Sequence, residues 1–274
     1  MKKILALLII PLLSFSQKKY TKNSHVYINT EETRINYKVE YNFKNHKGEL
    51  QGLTIPFNKK AADNDIVKFG IPEWMFDSYV VTSKVKNERA QILQDGLYKK
   101  NGSMLERDYN AIINYYRGSL KKISDYLIDY LKKRGIDTRR DRIEIAMKFT
   151  QDIPYGLPSE YKTKKSKYGG YQHDDGVYAP IEVLIKGYGD CDSKTFLFVC
   201  ILSHMINPND IIFVKGDQHL LSAVKNTTKI AGGQYFNHRG KKYYICETAG
   251  PGRPMFGKKN TSLGSSYLYP LEIK

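Results

Sequence analysis

Cysteine is scarce, with three in 274 residues. That is too few for a disulfide framework, so the fold must rest on a core of its own. Tryptophan occurs once, and acids are outnumbered by bases, 28 to 44. After Leu13 no stretch is long and apolar enough to span a bilayer. No spaced set of cysteines and histidines marks a zinc site, and no loop of Asp and Asn marks a calcium site. His173-Asp174-Asp175 has no spaced partners and reads as a solvated loop. These absences argue against a disulfide-stapled scaffold, a membrane-spanning domain and an obligatory metal or cofactor. What is present is a basic chain, net charge +16, long enough for one large domain or a domain with an extension.

The N-terminus has the pattern of an export signal over residues 1–16. Met1-Lys2-Lys3 precedes an apolar run from Ile4 to Leu13, and Ser14-Phe15-Ser16 supplies small residues before Gln17. No cysteine follows to carry a lipid anchor. The expectation is an exported, periplasmic or secreted protein that does not span a membrane. Its basic balance favours anionic cell-surface polymers or acidic proteins, with no signature of specific nucleic-acid binding. The densest basic run, Lys162 to Lys167, reads as a solvated loop.

Two regions follow. Residues 17–100 read as a β-rich N-terminal region with a frayed start at 17–25. Val26-Tyr27-Ile28 begins a strand. Arg34 to Phe43 alternates, with Ile35, Tyr37, Val39, Tyr41 and Phe43 on one face. Asn45 to Gly48 is a turn, and Leu53, Ile55 and Phe57 form a hairpin partner whose Pro56 suggests an edge. Ile66 to Phe69 and Tyr79 to Thr82 are further strand candidates, with Trp74 an anchor between them. Residues 101–274 read as helices followed by antiparallel strands, an α+β order. Leu120, Ile123, Leu127 and Leu131 recur at helical spacing up to Gly135. Thr138 with Asp141 forms a capping box for a helix that stops at Ile153-Pro154. An irregular stretch, 156–178, leads to a short apolar segment, Ile181 to Ile185. Strands are expected at Ile211–Val214, His219–Val224 and Lys242–Glu247.

The stretch Gly187-Tyr188-Gly189-Asp190-Cys191-Asp192-Ser193-Lys194-Thr195 stands out. Asp190 can cap a helix whose apolar residues, Phe196 to Leu202, cover the whole circumference, so a buried helix of about four turns ending near Asn207-Pro208 is expected. Cys191 then lies in its first turn. The partial positive charge and free N–H groups of a helix start favour a thiolate and can hold an oxyanion. Asp190 and Asp192 oppose that charge, so the thiolate needs a cationic partner. Cys200 lies half a turn round the same helix and reads as core.

If the second and third C-terminal strands pair antiparallel with Val224 opposite Lys242, His219 stands opposite Glu247. His219, Leu221 and Ala223 then share a face with Tyr243, Ile245 and Glu247, and Cys246 points away. A carboxylate at one ring nitrogen fixes the tautomer and leaves the other for a thiol. His25, His46 and His238 read as surface residues, and His204 as a complement to the dipole of the cysteine helix.

Gly189-Asp190-Cys191-Asp192 at a helix head, followed by His219 and by Tyr243-Tyr244-Ile245-Cys246-Glu247-Thr248, resembles the transglutaminase-like superfamily of cysteine enzymes. The preceding Phe149 to Tyr155 is similar as well, and the resemblance covers roughly residues 139–258. It implies a papain-like α+β core and a catalytic triad of nucleophile Cys191, base Cys-partner His219 and orienting Glu247, where the family usually has aspartate. It also implies a side-chain donor near the oxyanion, for which Gln151, Tyr171, Tyr178 and Tyr188 are candidates. The function it implies is cleavage or transfer at amide bonds of a protein or peptide substrate through an acyl-enzyme. The alternative is a silent module that binds anionic surface polymers or proteins.

Overall fold

The computed structural model describes residues 20–72, 82–102, 104–159, 161–165, 171–173, 176–226, 228–259 and 263–273. The export signal, Trp74 and all of Tyr79–Thr82 except Thr82 lie outside them. In chain order the elements begin with β1 (Tyr20–Thr21), β2 (Tyr27–Glu32), β3 (Asn36–Lys44), β4 (Leu50–Asn58), α1 (Lys59–Phe69), β5 (Ile71–Pro72), α2 (Ser83–Gln94), β6 (Tyr98–Asn101) and β7 (Met104–Arg107). The long helices α3 (Tyr109–Lys133) and α4 (Arg139–Asp152) come next, then β8 (Tyr155–Gly156), β9 (Tyr161–Lys165) and β10 (Tyr171–His173). Helices α5 (Pro180–Lys186) and α6 (Cys191–Leu202) lead into β11 (Ile211–Lys215), β12 (Leu220–Lys225), β13 (Tyr235–His238), β14 (Lys241–Cys246) and β15 (Tyr267–Pro270). This is a mixed α and β protein with antiparallel sheets.

The strand β3 buries Tyr37, Val39, Tyr41 and Phe43, as its alternation predicts, while Ile35 lies before the strand and is exposed. It pairs on both sides, with β2 and β4, and β4 with its Pro56 is an edge of that sheet. Three expectations fail here. Ile66 to Phe69 is the end of helix α1, not a strand: Asn58 caps it by accepting from the Ala61 N–H at 3.0 Å, and Ala62, Ile66 and Phe69 form its buried stripe. The start of the chain is not frayed from Tyr20 on, because Tyr20 and Thr21 pair with Gly156 and Tyr155. Lys162 to Lys165 belong to β9, paired with β10, rather than to a solvated loop. The hairpin of β6 and β7 straddles residue 100, and one core runs from Val26 to Leu271.

The five-stranded sheet has the order β13-β14-β12-β11-β15. Helix α6 is buried all round from Ser193 to Leu202, apolar from Phe196 on, and is sandwiched among α3, α4, α5 and β12. One face of the sheet packs into that core through Phe213, Leu220, Val224, Tyr244 and Cys246. The opposite face forms a second cluster with Ile212, Val214, Leu221, Ala223, Tyr243 and Ile245. Helix α6 is shorter than expected and ends at Leu202, with Ser203 as its C-cap. The Thr138–Asp141 capping box forms as predicted, and α4 stops at Ile153. Among the described residues, no helix is long and apolar enough to cross a membrane.

Candidate functional site

Cys191 is the first residue of α6 and follows a short loop from α5. Gly187 ends α5 in the left-handed region, φ 74°. Gly189 admits no side chain cheaply, since a Cβ would sit 3.1 Å from the Ser193 side chain and 3.3 Å from Val183. Asp190 caps α6 by accepting from the Ser193 N–H at 3.0 Å, a contact of a type that contributes about 1 kcal/mol. The Ser193 hydroxyl donates to the same Asp190 oxygen and accepts from the Tyr178 N–H at 2.8 Å. Burial, then Asp192, push the Asp190 carboxyl up to about 6. The ligand atoms of Asp190, Cys191 and Asp192 lie within 4.8 Å of one another, but Asp190 is occupied as a cap.

The Cys191 thiol is half-buried, and it donates to Asp192 Oδ1 at 3.3 Å. Burial raises its pKa, and the charges of Asp192 and Asp190 raise it further. The backbone N–H of Leu220 faces the sulfur and works the other way. The resting group is a thiol. Helix α6 crosses the start of β12, and Leu220 follows His219, so the first turns of the helix lie beside the stretch that carries the imidazole. The Thr195 hydroxyl fixes the same crossing by donating to the Leu220 carbonyl at 3.0 Å.

His219 lies just before β12, its carbonyl accepting from the Gly216 N–H at 2.7 Å. Its Nε2 is 2.8 Å from Glu247 Oε2, with the two side chains 11% and 4% exposed. Burial opposes the imidazolium, but the Glu247 hydrogen bond and charge, with Asp192, outweigh it, and the pKa is raised. Glu247 takes Nε2 and so leaves Nδ1 as the nitrogen for a proton exchange. The expected register is wrong by two residues. Val224 stands opposite Tyr244 and Ser222 opposite Cys246, so Glu247 is not directly across from His219. A shift of two preserves the face of every side chain, and His219 and Glu247 meet on a diagonal. Each lies one residue beyond its strand, and diagonal neighbours stand further apart than opposite ones, an offset that suits the extra methylene of glutamate over aspartate. Glu247 Oε1 is held in turn by the Ala249 N–H at 3.0 Å.

The four oxyanion-donor candidates fare differently. Gln151 is buried, and its amide donates to the carbonyls of Glu247 at 2.7 Å and Pro254 at 2.9 Å. It braces the acid strand and has no donor left. The Tyr178 and Tyr188 hydroxyls bond each other at 2.7 Å, and Tyr188 stacks on Tyr20, so both brace the cysteine loop. The Tyr171 side chain lies outside the described residues. Tyr155, which the sequence reading passed over, bridges Gly189 through its backbone. Burial and the charges of Cys191, Asp190, Asp192 and Glu247 raise its pKa. Its hydroxyl is therefore a donor within electrostatic range of the sulfur and both flanking acids. Only its position after Pro154 at a helix stop hinted at this.

Lys194 was also passed over, because a lysine in a helix reads as a solvated side chain. It is fully buried, and its ammonium donates to the carbonyls of Ile153 and Ala249 at 2.6 Å and of Gln151 at 3.3 Å. Burial lowers its pKa to about 7, against the pull of Asp152, Glu247 and Asp190.

The other histidines depart from expectation. His25 is not a surface residue: its Nε2 lies 2.7 Å from Asp152, a carboxylate with no exposed side-chain area. His46 is 7% exposed at the side chain and bonds Asp141 at 2.9 Å. His238 is only half-exposed, its Nε2 buried. His204 lies past the end of α6, and burial lowers its pKa, so it carries no charge to the dipole. Arg117 takes that role by donating to the Ser203 carbonyl at 3.0 Å. Cys200 is a fully buried core residue, as predicted, and Cys246, also fully buried, faces away from Leu221, Ala223 and Ile245 as its alternation implies.

No family model matches the sequence, and neither a curated protein nor a solved structure matches it.

Proposed function

We propose that the chain is an exported thiol enzyme of transglutaminase-like type, acting on amide bonds of a protein or peptide. Cys191 is its nucleophile, His219 its base and Glu247 the orienting acid. The observation that carries this reading is the buried His219–Glu247 pair at 2.8 Å, set beside the cysteine helix where the Thr195 hydroxyl donates to the Leu220 carbonyl at 3.0 Å. His219 Nδ1 takes the thiol proton as substrate displaces the Asp192 contact. The thiolate attacks the amide carbon, and the negative oxygen is held by the Cys191 N–H at the start of α6 and by the Tyr155 hydroxyl. His219 returns the proton to the leaving amine as the C–N bond breaks. Water or a second amine then attacks the thioester, giving hydrolysis or transfer and restoring the thiol.

One observation favours a second reading, a silent module docking on anionic polymers. The resting thiol is bonded to a carboxylate and its pKa is raised, which does not suit a poised nucleophile. Alkylation separates the two. Cys200 and Cys246 are fully buried, so their slowness measures access alone. The informative comparison is Cys191 with and without its base. Iodoacetamide at pH 7 is expected to label Cys191 in the native protein about tenfold or more faster than in His219→Ala. Equal rates, with polyanion binding that survives Cys191→Ala, point to the module.

A further inference from the structure

We propose that Lys194 is a positioning residue for the His219–Glu247 pair, acting through the Ala249 backbone. This rests on the triad reading above and extends it to a residue that hydrogen-bonds neither partner, its three bonds going to backbone carbonyls, and that feels the Glu247 charge.

The path is continuous. The Lys194 ammonium donates to the Ala249 carbonyl at 2.6 Å. The Ala249 N–H donates to Glu247 Oε1 at 3.0 Å, and Glu247 Oε2 holds His219 Nε2 at 2.8 Å. The other two ammonium protons go to Ile153 and Gln151. Lys194 therefore ties together the three segments that carry the site: α6 with Cys191, the end of α4 leading to Tyr155, and the turn after β14 with Glu247. An ammonium has three donors and no acceptor, and here each donor meets a carbonyl. Amine, hydroxyl or amide side chains of other residues cannot match that set from one atom.

The turn is built to fit this ion. Gly250 has φ +70°, and a Cβ there would lie 2.5 Å from the Gln151 carbonyl oxygen and 3.0 Å from the Lys194 nitrogen. Only glycine lets the Ala249 carbonyl reach Lys194. Gln151 braces the same turn from its side chain, through the Glu247 carbonyl at 2.7 Å. A buried lysine used only for packing would be replaced without cost to His219. Here the ammonium sets where the Ala249 peptide lies, and that peptide sets where the Glu247 carboxylate lies.

A double-mutant cycle tests this, read by the iodoacetamide rate at Cys191. Glu247→Gln and Lys194→Met are each expected to slow labelling about tenfold or more, and the double variant to be no slower than the slower single. Rates that multiply in the double variant would overturn the proposal, as would a native rate in Lys194→Met. A native rate in Glu247→Gln would instead sink the triad reading itself, which keeps the two failures apart. A second measurement guards against Lys194→Met failing to fold. The Lys194 ¹⁵Nζ resonance, followed by NMR with lysine intact, is expected to shift in Glu247→Gln, and an unmoved resonance would contradict the coupling.

Discussion

Glu247 reaches His219 on a diagonal of the β12–β14 pair, Oε2 to Nε2 at 2.8 Å, rather than from the position directly across. The chain length of the acid thereby suits the register of the strands. Glu247→Asp, the conservative replacement by charge, is expected to break the contact and to cost as much as Glu247→Gln in Cys191 alkylation, about tenfold or more. Rates measured for both variants check this; native reactivity in Glu247→Asp would show that the diagonal is not limiting.

Asp192 accepts the hydrogen bond of the thiol and adds its own charge beside it. Removing that charge favours the thiolate. Asp192→Asn is expected to lower the Cys191 pKa and raise its alkylation rate at pH 7 by about tenfold, one pKa unit corresponding to a factor of ten. The pH dependence of labelling supplies the pKa directly.

Asp152 ties the N-terminal sheet to the site. It receives Asn23 at 3.1 Å, His25 at 2.7 Å, the Lys44 N–H at 2.8 Å and Arg253 at 3.1 Å. Asp152→Ala removes the one buried carboxylate that these half-buried donors share. Urea unfolding is expected to show a loss of about 3 kcal/mol, against near zero for the exposed pair of Lys121 and Asp125.

Much of this framework was legible in the sequence, and the failures share a cause. Alternation in residues 34–43 reports a buried face because each side chain answers to one neighbouring surface. The same logic put His219, Leu221 and Ala223 on a face with Glu247, Ile245 and Tyr243, but periodicity fixes parity and not register, so the pairing came out two residues off. Ile66 to Phe69 was too short a run to separate strand from helix; the Asn58 cap and Ala62 decide it. His25 and His46 were misjudged, and Lys194 passed over, because their partners are carbonyls or carboxylates far along the chain. No local pattern announces that a polar side chain will be met by them.

The His219–Glu247 pair also has a signature in stability. The folded pKa of His219 is raised, so its contribution is fully present below the unfolded value of about 6.5 and is lost as pH rises through the folded pKa. The attraction between Glu247 and Lys194, whose pKa is about 7, fades over the same direction of pH. Glu247→Gln should therefore destabilise the protein more at pH 6 than at pH 9, measured by urea unfolding at both. A gap that is constant or grows with pH contradicts a charged pair.

The most direct test of the triad is whether Cys191 forms an acyl-enzyme with the help of His219. With p-nitrophenyl acetate, the thiolate attacks the ester carbonyl, nitrophenolate leaves, and an acetyl thioester remains for rapid acid quench and mass spectrometry. The account predicts acetylation at Cys191, forming about a hundredfold faster in the native protein than in His219→Ala. An adduct that forms equally slowly in both proteins, or on another residue, would contradict it.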